Sequence, residues 1–182
     1  MMKPVKRNIL VLAVMSVLLG VALYRNMLEA DEVVLPKEKA PKADFLAPSF
    51  SLPGMDGKTY SVGGEREKAL LINFWASWCE PCKLEAPDLV EIHEKYKDRL
   101  DIYAVNATND DNREDAEAFV EQYGIEFPVL WDRNKEEGSV ADLYQVLGYP
   151  TSFIVDRHGV IREVVLGIRP KEEMERMLRE VM

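Results

Sequence analysis

Two cysteines three positions apart, Cys79 and Cys82, with Pro81 between them, are the residues of this sequence best suited to chemistry. A thiolate is a nucleophile, and a pair of thiols at this spacing can close and open a disulfide. They follow an apolar run of large residues, Leu70-Leu71-Ile72-Asn73-Phe74-Trp75. A run that short and that apolar reads as a strand buried on both faces. A helical pattern follows. Cys79 then stands where a helix begins, and unpaired backbone N–H groups there favour an anion. Cys82 lies one turn in, within reach of a disulfide. Cys79 is the expected attacking thiolate, partly exposed, and Cys82 the residue that resolves the mixed disulfide. The chain has no other cysteine, so any disulfide is the functional one. A zinc site needs about four ligands. The two cysteines, His93 and His158 are too scattered to supply them, so neither a metal nor another cofactor is expected.

Composition narrows the choices further. The 182 residues suffice for one domain with a real core plus an appendage. A net charge of −9 argues against a nucleic-acid binder, which needs a basic patch. The run from Ile9 to Tyr24 is uncharged, with Lys3, Lys6 and Arg7 ahead of it and Arg25 behind. It reads as a transmembrane signal-anchor over 9–24 with residues 1–8 as a cytoplasmic basic tail. No Ala-x-Ala cleavage site follows Tyr24. The rest of the chain then lies outside the cytoplasm, on a linker over 25–44 that carries Pro36 and Pro41, with the folded domain over 45–182.

The elements that must position the cysteines follow from periodicity. Phe50, Leu52, Tyr60 and Val62 alternate with polar residues around an Asp56-Gly57 turn, a β-hairpin. Leu84 to Lys97 is helical, with Leu89, Ile92 and Tyr96 on one face and a kink expected at Pro87. Asp101 to Ala107 is a strand. Asp111-x-x-Glu114 reads as a capping box for a helix that buries Ala116, Phe119, Val120 and Tyr123 and stops at Gly124. Phe127 to Trp131 is a strand and Ser139 to Leu147 a helix. A strand starting at Pro150 turns at Arg157-His158-Gly159 and returns over Val160 to Leu166. Pro170 opens the last helix in its first turn, with Met174, Met177, Leu178 and Val181 inward. The order predicts an α/β fold with a central mixed sheet and helices on both faces.

The string Phe74-Trp75-Ala76-Ser77-Trp78-Cys79-Glu80-Pro81-Cys82-Lys83 resembles the active-site signature of the thioredoxin superfamily. The longer NFWASWCEPCKLEAP is similar to that of its extracytoplasmic, membrane-anchored TlpA/ResA branch, and the likeness runs from about Ala43 to the C-terminus. It implies a thioredoxin-like fold with an added N-terminal hairpin, and thiol–disulfide oxidoreductase activity. It implies a cis peptide bond before Pro150, whose ring packs on the disulfide while the backbone at Tyr149 pairs with an extended partner segment. Where cytoplasmic thioredoxins carry a buried aspartate this chain has Asn73, which cannot accept a proton. Glu85, one turn past Cys82, is the candidate base. Glu80 beside Cys79 opposes its thiolate and favours a reducing couple, an effect that exposure would weaken. Trp75 is expected in the core, Trp78 as a surface aromatic at the site, and Lys83 solvated. The ResA likeness implies a reductant of the Cys-x-x-Cys-His disulfide of apocytochrome c during cytochrome c maturation. Its electrons would come from a transmembrane thiol carrier of the CcdA type. Two other readings stay open: a general disulfide oxidase or thiol peroxidase of the same fold, and a copper-binding assembly factor, although that type uses a wider C-x-x-x-C.

Overall fold

The computed structural model describes residues 4–29 (side chains 12–25), 35–133 and 138–182, and the chain divides into two units, Met1–Leu35 and Pro36–Met182. The first unit holds α1 (Pro4–Glu29), a 26-residue helix. Its described apolar side chains, among them Leu12, Met15, Leu18 and Leu19, are exposed. Among the described residues no helix is long and apolar enough to cross a membrane. The side chains at 9–11, where the expected span begins, lie outside the described residues, as do residues 1–3 of the expected tail and 30–34 of the expected linker.

The second unit is built on strand β3 (Ala69–Trp75), buried at all seven positions. A two-stranded hairpin precedes it: β1 (Phe50–Pro53) runs antiparallel to β2 (Thr59–Val62), with Phe50 opposite Val62. This is the hairpin expected from the alternating pattern. β4 (Leu100–Asn106) lies parallel to β3, and β5 (Val129–Trp131) parallel to β4. On the other side of β3, β6 (Thr151–Val155) runs antiparallel, and β7 (Ile161–Leu166) pairs antiparallel with β6. The mixed sheet therefore has the order β5-β4-β3-β6-β7, with β3 at its centre.

Successive side chains of a strand point to opposite faces, so β3 feeds two cores. Leu71 and Trp75 face a core closed by the helices α2 (Glu80–Tyr96), α3 (Arg113–Tyr123) and α5 (Lys171–Val181). Leu70, Ile72 and Phe74 face a second core closed by Leu52 and Val62 of the hairpin and by Val140 and Tyr144 at the short helix α4 (Val140–Leu143). The three long helices thus share one face, and the hairpin does much of the covering on the other. The helix stripes expected from periodicity are turned inward: Leu89, Ile92 and Tyr96 on α2, Ala116 and Phe119 on α3, Met174 and Leu178 on α5 are buried, while Val120, Tyr123, Met177 and Val181 are only partly buried against the same core.

Five local features differ from the sequence reading. α2 begins at Glu80, directly after Cys79 as expected, but runs through Pro87, where a kink is expected, as one helix to Tyr96. α4 spans four residues rather than nine, because Gln145 adopts a left-handed φ of 53° directly after Tyr144. Tyr144 meanwhile sends its buried ring into the core, where its hydroxyl donates to Pro48 O at 2.8 Å. Asn112, not Asp111, caps α3 by accepting from Glu114 N at 2.8 Å. Pro170 stands at the N-cap of α5 rather than within its first turn. Residues 36–44, whose composition suggests the end of a free linker, are fastened to the second unit. Asp44 N donates to Ile161 O at 2.8 Å and Ala40 N to Leu46 O at 3.1 Å, and these backbone bonds hold the segment.

Gly159 supplies a tight turn between β6 and β7 with φ 80°, and a Cβ added there would sit 2.6 Å from Gly64 O. Both the left-handed backbone and the backbone clash penalise any side chain. Gly159→Ala is expected to lower unfolding free energy by about 2 kcal/mol, read as a lower denaturant midpoint at unchanged slope.

Candidate functional site

The C-terminal end of β3 delivers the chain into a turn in which Cys79 N donates to Ala76 O at 3.2 Å. Cys79 is the N-cap of α2, with extended backbone, and its Sγ accepts from Cys82 N at 3.2 Å. A cysteine thus does the capping that Ser, Asp or Asn usually does, and the donor it uses favours negative charge on sulfur. Cys79 and Cys82 are joined in a disulfide with their Cα atoms 5.3 Å apart. The sequence pattern leads one to expect Cys79 partly in solvent. It is only 4% exposed, and Cys82 3%. Its neighbour Trp78 is the exposed group, at 56%. The Trp78 indole N–H donates to Asp110 O at 2.9 Å, and its ring stands edge-on to Tyr149 at 6.0 Å between centroids.

The residues between and after the cysteines divide into an outer and an inner set. Pro81 sits in the first turn of α2, where its missing N–H costs nothing. Glu80, its side chain 79% exposed, pairs with Lys83 Nζ. That contact raises the Lys83 pKa, and together with water it weakens the pull of Glu80 on Cys79. Lys83, expected to be solvated, is therefore a partner of Glu80. Glu85 belongs to the inner set, 4% exposed. Its Oε2 accepts from Asn73 Nδ2 at 3.0 Å, and the same amide donates to Ser152 Oγ at 2.9 Å. Its Oε1 has no protein hydrogen-bond partner among the described residues. The carboxyl is raised to about 7: burial pushes it up, the Asn73 bond pulls it partly back, and Asp88 adds to the rise.

Asn73, Trp75, Cys82, Glu85 and Leu89 line one small cavity of about 10 Å³, room for about one water molecule. The structure therefore brings Cys82 and the expected base to one small cavity. Such a carboxyl, ionisable near neutral pH, suits proton exchange with a thiol. Trp75 is core, as expected, 3% exposed and 4.5 Å from the Phe119 ring centre.

The Tyr149–Pro150 bond is cis, as the resemblance implied. Pro150 is buried, its carbonyl accepting from Gly167 N at 2.8 Å. Tyr149 is half-buried and lies beside the cysteine turn through Trp78. Burial raises its hydroxyl pKa, with Asp110, Asp132, Asp142 and Asp111 adding to the shift. The two histidines stay apart from the site. His93 packs edge-on against Phe127 at 5.5 Å, and burial lowers its pKa. His158 Nδ1 lies 3.9 Å from Glu65 Oε1.

Sequence reasoning misses two participants. Ser152 completes the buried amide–carboxyl cluster, but an isolated Ser in a strand gives no signal. Asp111, whose spacing to Glu114 suggests a helix cap, instead accepts from Ser77 N at 2.7 Å and Asn106 Nδ2 at 2.7 Å. It so joins the cysteine turn to the end of β4.

Residues 45–164 match the model of the AhpC/TSA family. The chain is 40% identical to the thioredoxin-like protein YneN of Bacillus subtilis (strain 168), over 72% of this chain and 76% of that one. It is 30% identical to the thiol-disulfide oxidoreductase ResA of Bacillus thuringiensis (strain Al Hakam), over 96% of this chain and 94% of that one. Among solved structures, a candidate thiol:disulfide interchange protein DsbE from Chlorobium tepidum superposes with a TM-score of 0.66 at 34% identity, covering 75% of this chain and 94% of its own.

A buried carboxyl raised from 4.5 to about 7 binds its proton more tightly in the folded than in the unfolded chain. Folded stability therefore falls as pH rises through the window from about 4.5 to 7. Each tenfold gain in proton affinity is worth about 1.4 kcal/mol. The oxidised protein is thus expected to lose on the order of 3 kcal/mol between about pH 4.5 and 8. Glu85→Gln is expected to flatten that slope. Denaturant titrations of both proteins at several pH values check this, and parallel slopes would remove Glu85 as the titrating group.

Proposed function

This chain belongs to the AhpC/TSA family and is a thiol–disulfide oxidoreductase of thioredoxin-like fold, and we propose that it is a membrane-tethered reductant of partner disulfides outside the cytoplasm. The observation that carries the reducing direction is the burial of both sulfurs above a carboxyl ionisable near neutral pH. A thiolate held away from water is poorly stabilised, so the reduced form gains little from ionisation and the couple is reducing. Glu80 adds less to this than its place in the sequence suggests, because it is exposed and paired with Lys83.

In the forward reaction the Cys79 thiolate attacks one sulfur of the partner disulfide. The partner's S–S bond breaks, its other sulfur leaves as a thiolate, and the attacked sulfur is held in a mixed disulfide with Cys79. Glu85 takes the proton of the Cys82 thiol within their shared cavity. The Cys82 thiolate attacks Cys79 Sγ, and the partner sulfur held there leaves. Two electrons have passed to the partner, and Cys79–Cys82 is the disulfide seen here. The edge at Tyr149 and cis-Pro150 receives the extended partner segment through backbone pairing.

The substrate in this reading is the Cys-x-x-Cys-His disulfide of apocytochrome c, and the electron donor a transmembrane thiol carrier of the CcdA type. The ResA likeness over nearly the whole chain supports it. The N-terminal anchor rests on the uncharged run from Ile9 to Tyr24 and the basic residues ahead of it. Full-length protein is expected to stay with membranes after an alkaline carbonate wash; recovery in the wash would overturn the anchor.

Two measurements test the reductant. The Cys79–Cys82 midpoint potential at neutral pH is expected near about −270 mV or lower, at the thioredoxin end of the scale, about 150 mV below the oxidant end near −120 mV. The reduced chain is expected to reduce an oxidised Cys-x-x-Cys-His peptide. A potential near the oxidant end, or oxidation of the peptide dithiol by this chain, would make it a disulfide former instead.

A further inference from the structure

Asp111 has more donors aimed at it than any helix cap requires. Its Oδ2 accepts from Ser77 N at 2.7 Å and from Asn106 Nδ2 at 2.7 Å. Its Oδ1 accepts from the Ser77 hydroxyl and from Asn112 N at 2.9 Å. A carboxylate offers about four acceptor positions, and all are taken. Two of the donors belong to Ser77, two residues before the nucleophile.

The other end of this contact is rigid. Asn106 is the last residue of β4, fully buried, and is paired in register with Trp75. Its carbonyl accepts from Thr108 N at 2.7 Å and Asp132 N at 3.3 Å, and Ala107 N donates to Trp75 O at 2.9 Å. The adjacent Asp110 carbonyl holds the Trp78 indole at 2.9 Å, and Trp78 in turn reaches Tyr149. The turn 76–79 is thus pinned at Ser77, through Asp111, to the end of β4 and at Trp78 to the loop that follows β4. Cys79, next in the chain, is 4% exposed although it follows an exposed tryptophan in a surface turn.

We propose that Asp111 is a positioning residue: by clamping Ser77 to the end of β4 it keeps Trp78 and the cysteine turn closed over Cys79, and so holds the dithiol reducing. This rests on dithiol exchange at Cys79–Cys82 and on the reducing direction argued above, not on which partner is reduced. Two effects share one sign when the clamp is lost. Water reaches Cys79, and a negative charge leaves its neighbourhood; both favour the thiolate and hence the reduced protein. The opposing effect, loss of the helix N-cap, does not arise. The Cys82 N–H to Cys79 Sγ and Lys83 N–H to Cys79 O contacts, each 3.2 Å, lie within the first turn of α2 and do not involve Asp111.

Four full-length proteins decide the matter: wild type, Asp111→Asn, Ser77→Ala and Asp110→Asn. Asp111→Asn keeps the shape but turns an amide N–H₂ toward donors. Ser77→Ala removes one clamp bond and no charge. Asp110→Asn removes a neighbouring charge and leaves the Asp110 carbonyl on Trp78. Each is equilibrated with glutathione, Cys79 alkylation is followed against pH, and melting temperature is recorded separately. Asp111→Asn is expected to shift the equilibrium about tenfold toward reduced protein, about 30 mV more oxidising, and to lower the pH midpoint of alkylation. Ser77→Ala is expected to move both in the same direction by about threefold, and Asp110→Asn by less than about twofold. Equilibria within about twofold of wild type in both Asp111→Asn and Ser77→Ala, whatever their melting temperatures, overturn the proposal. So does an Asp110→Asn shift equal to that of Asp111→Asn, which would assign the effect to charge alone. If Asp111→Asn does not fold, Ser77→Ala alone decides: a shift of about threefold toward reduced protein supports the clamp, and an equilibrium within about twofold of wild type overturns it. Because each reading is a difference from wild type, a wild-type potential at the oxidant end would defeat the reducing assignment while leaving the clamp's shift measurable.

Discussion

Burial of β3 on both faces is the constraint from which the rest of the second unit follows. Its seven residues leave no polar edge for water, so neighbouring strands must take up every backbone N–H and C=O. β4 does so in parallel and β6 antiparallel, which makes the sheet mixed. Its alternating side chains demand two separate cores, and the chain supplies helices for one and a hairpin with a short helix for the other. The strand's C-terminal end then lies at the rim of the sheet, where α2 begins. The reactive pair is placed just past that end, by a strand buried at every position.

One position on this strand breaks the apolar pattern. Asn73 is 3% exposed and spends its two amide hydrogens on Glu85 and Ser152. Burying an amide and a carboxyl is unfavourable unless they are paired, and here they pair with each other between β3 and α2, with Ser152 of β6 taking the second amide hydrogen. The pairing is incomplete, since Glu85 Oε1 has no protein partner among the described residues. An incompletely satisfied buried carboxyl holds its proton more tightly, which is what a proton acceptor working near neutral pH needs. Trp75, Leu89 and Phe119 of the surrounding core line the same small cavity.

The reactive turn is held from outside as well as from beneath. Asp111 and the Asp110 carbonyl take Ser77 and Trp78, and Tyr149 of the cis-Pro150 segment, itself bonded to Gly167, meets the Trp78 ring. Three segments distant in sequence thus meet at the cysteine pair. Glu80 and Lys83, the charged residues nearest to it in sequence, are paired to each other at the surface. Proximity along the chain is a poor guide to electrostatic influence when water screens one group and the protein encloses another.

Local pattern is enough for much of this protein. The apolar run 70–75, the Cys79–Cys82 spacing and the helical stripe after them yield the strand, the dithiol and the helix, because each depends on residues within one or two turns. The hairpin at 50–62, the stop at Gly124 and the inward faces of α3 and α5 are legible for the same reason. The cis bond at Pro150 comes from resemblance, since an X-Pro pair alone says little about its isomer. Tertiary structure decides the rest. Asp111 has the spacing of a cap, and becomes the hub of the cysteine turn because Ser77 and Asn106 are brought to it from other elements. Residues 36–44 have the composition of a stalk, and are held because Ile161 offers them a backbone partner. Ser152 gives no signal until it faces Asn73 across the sheet. Cys79, placed near solvent by its turn, is enclosed. A sequence sets what each residue can donate, accept or bury; which partner arrives, and whether water arrives with it, is set by contacts between segments far apart in the chain.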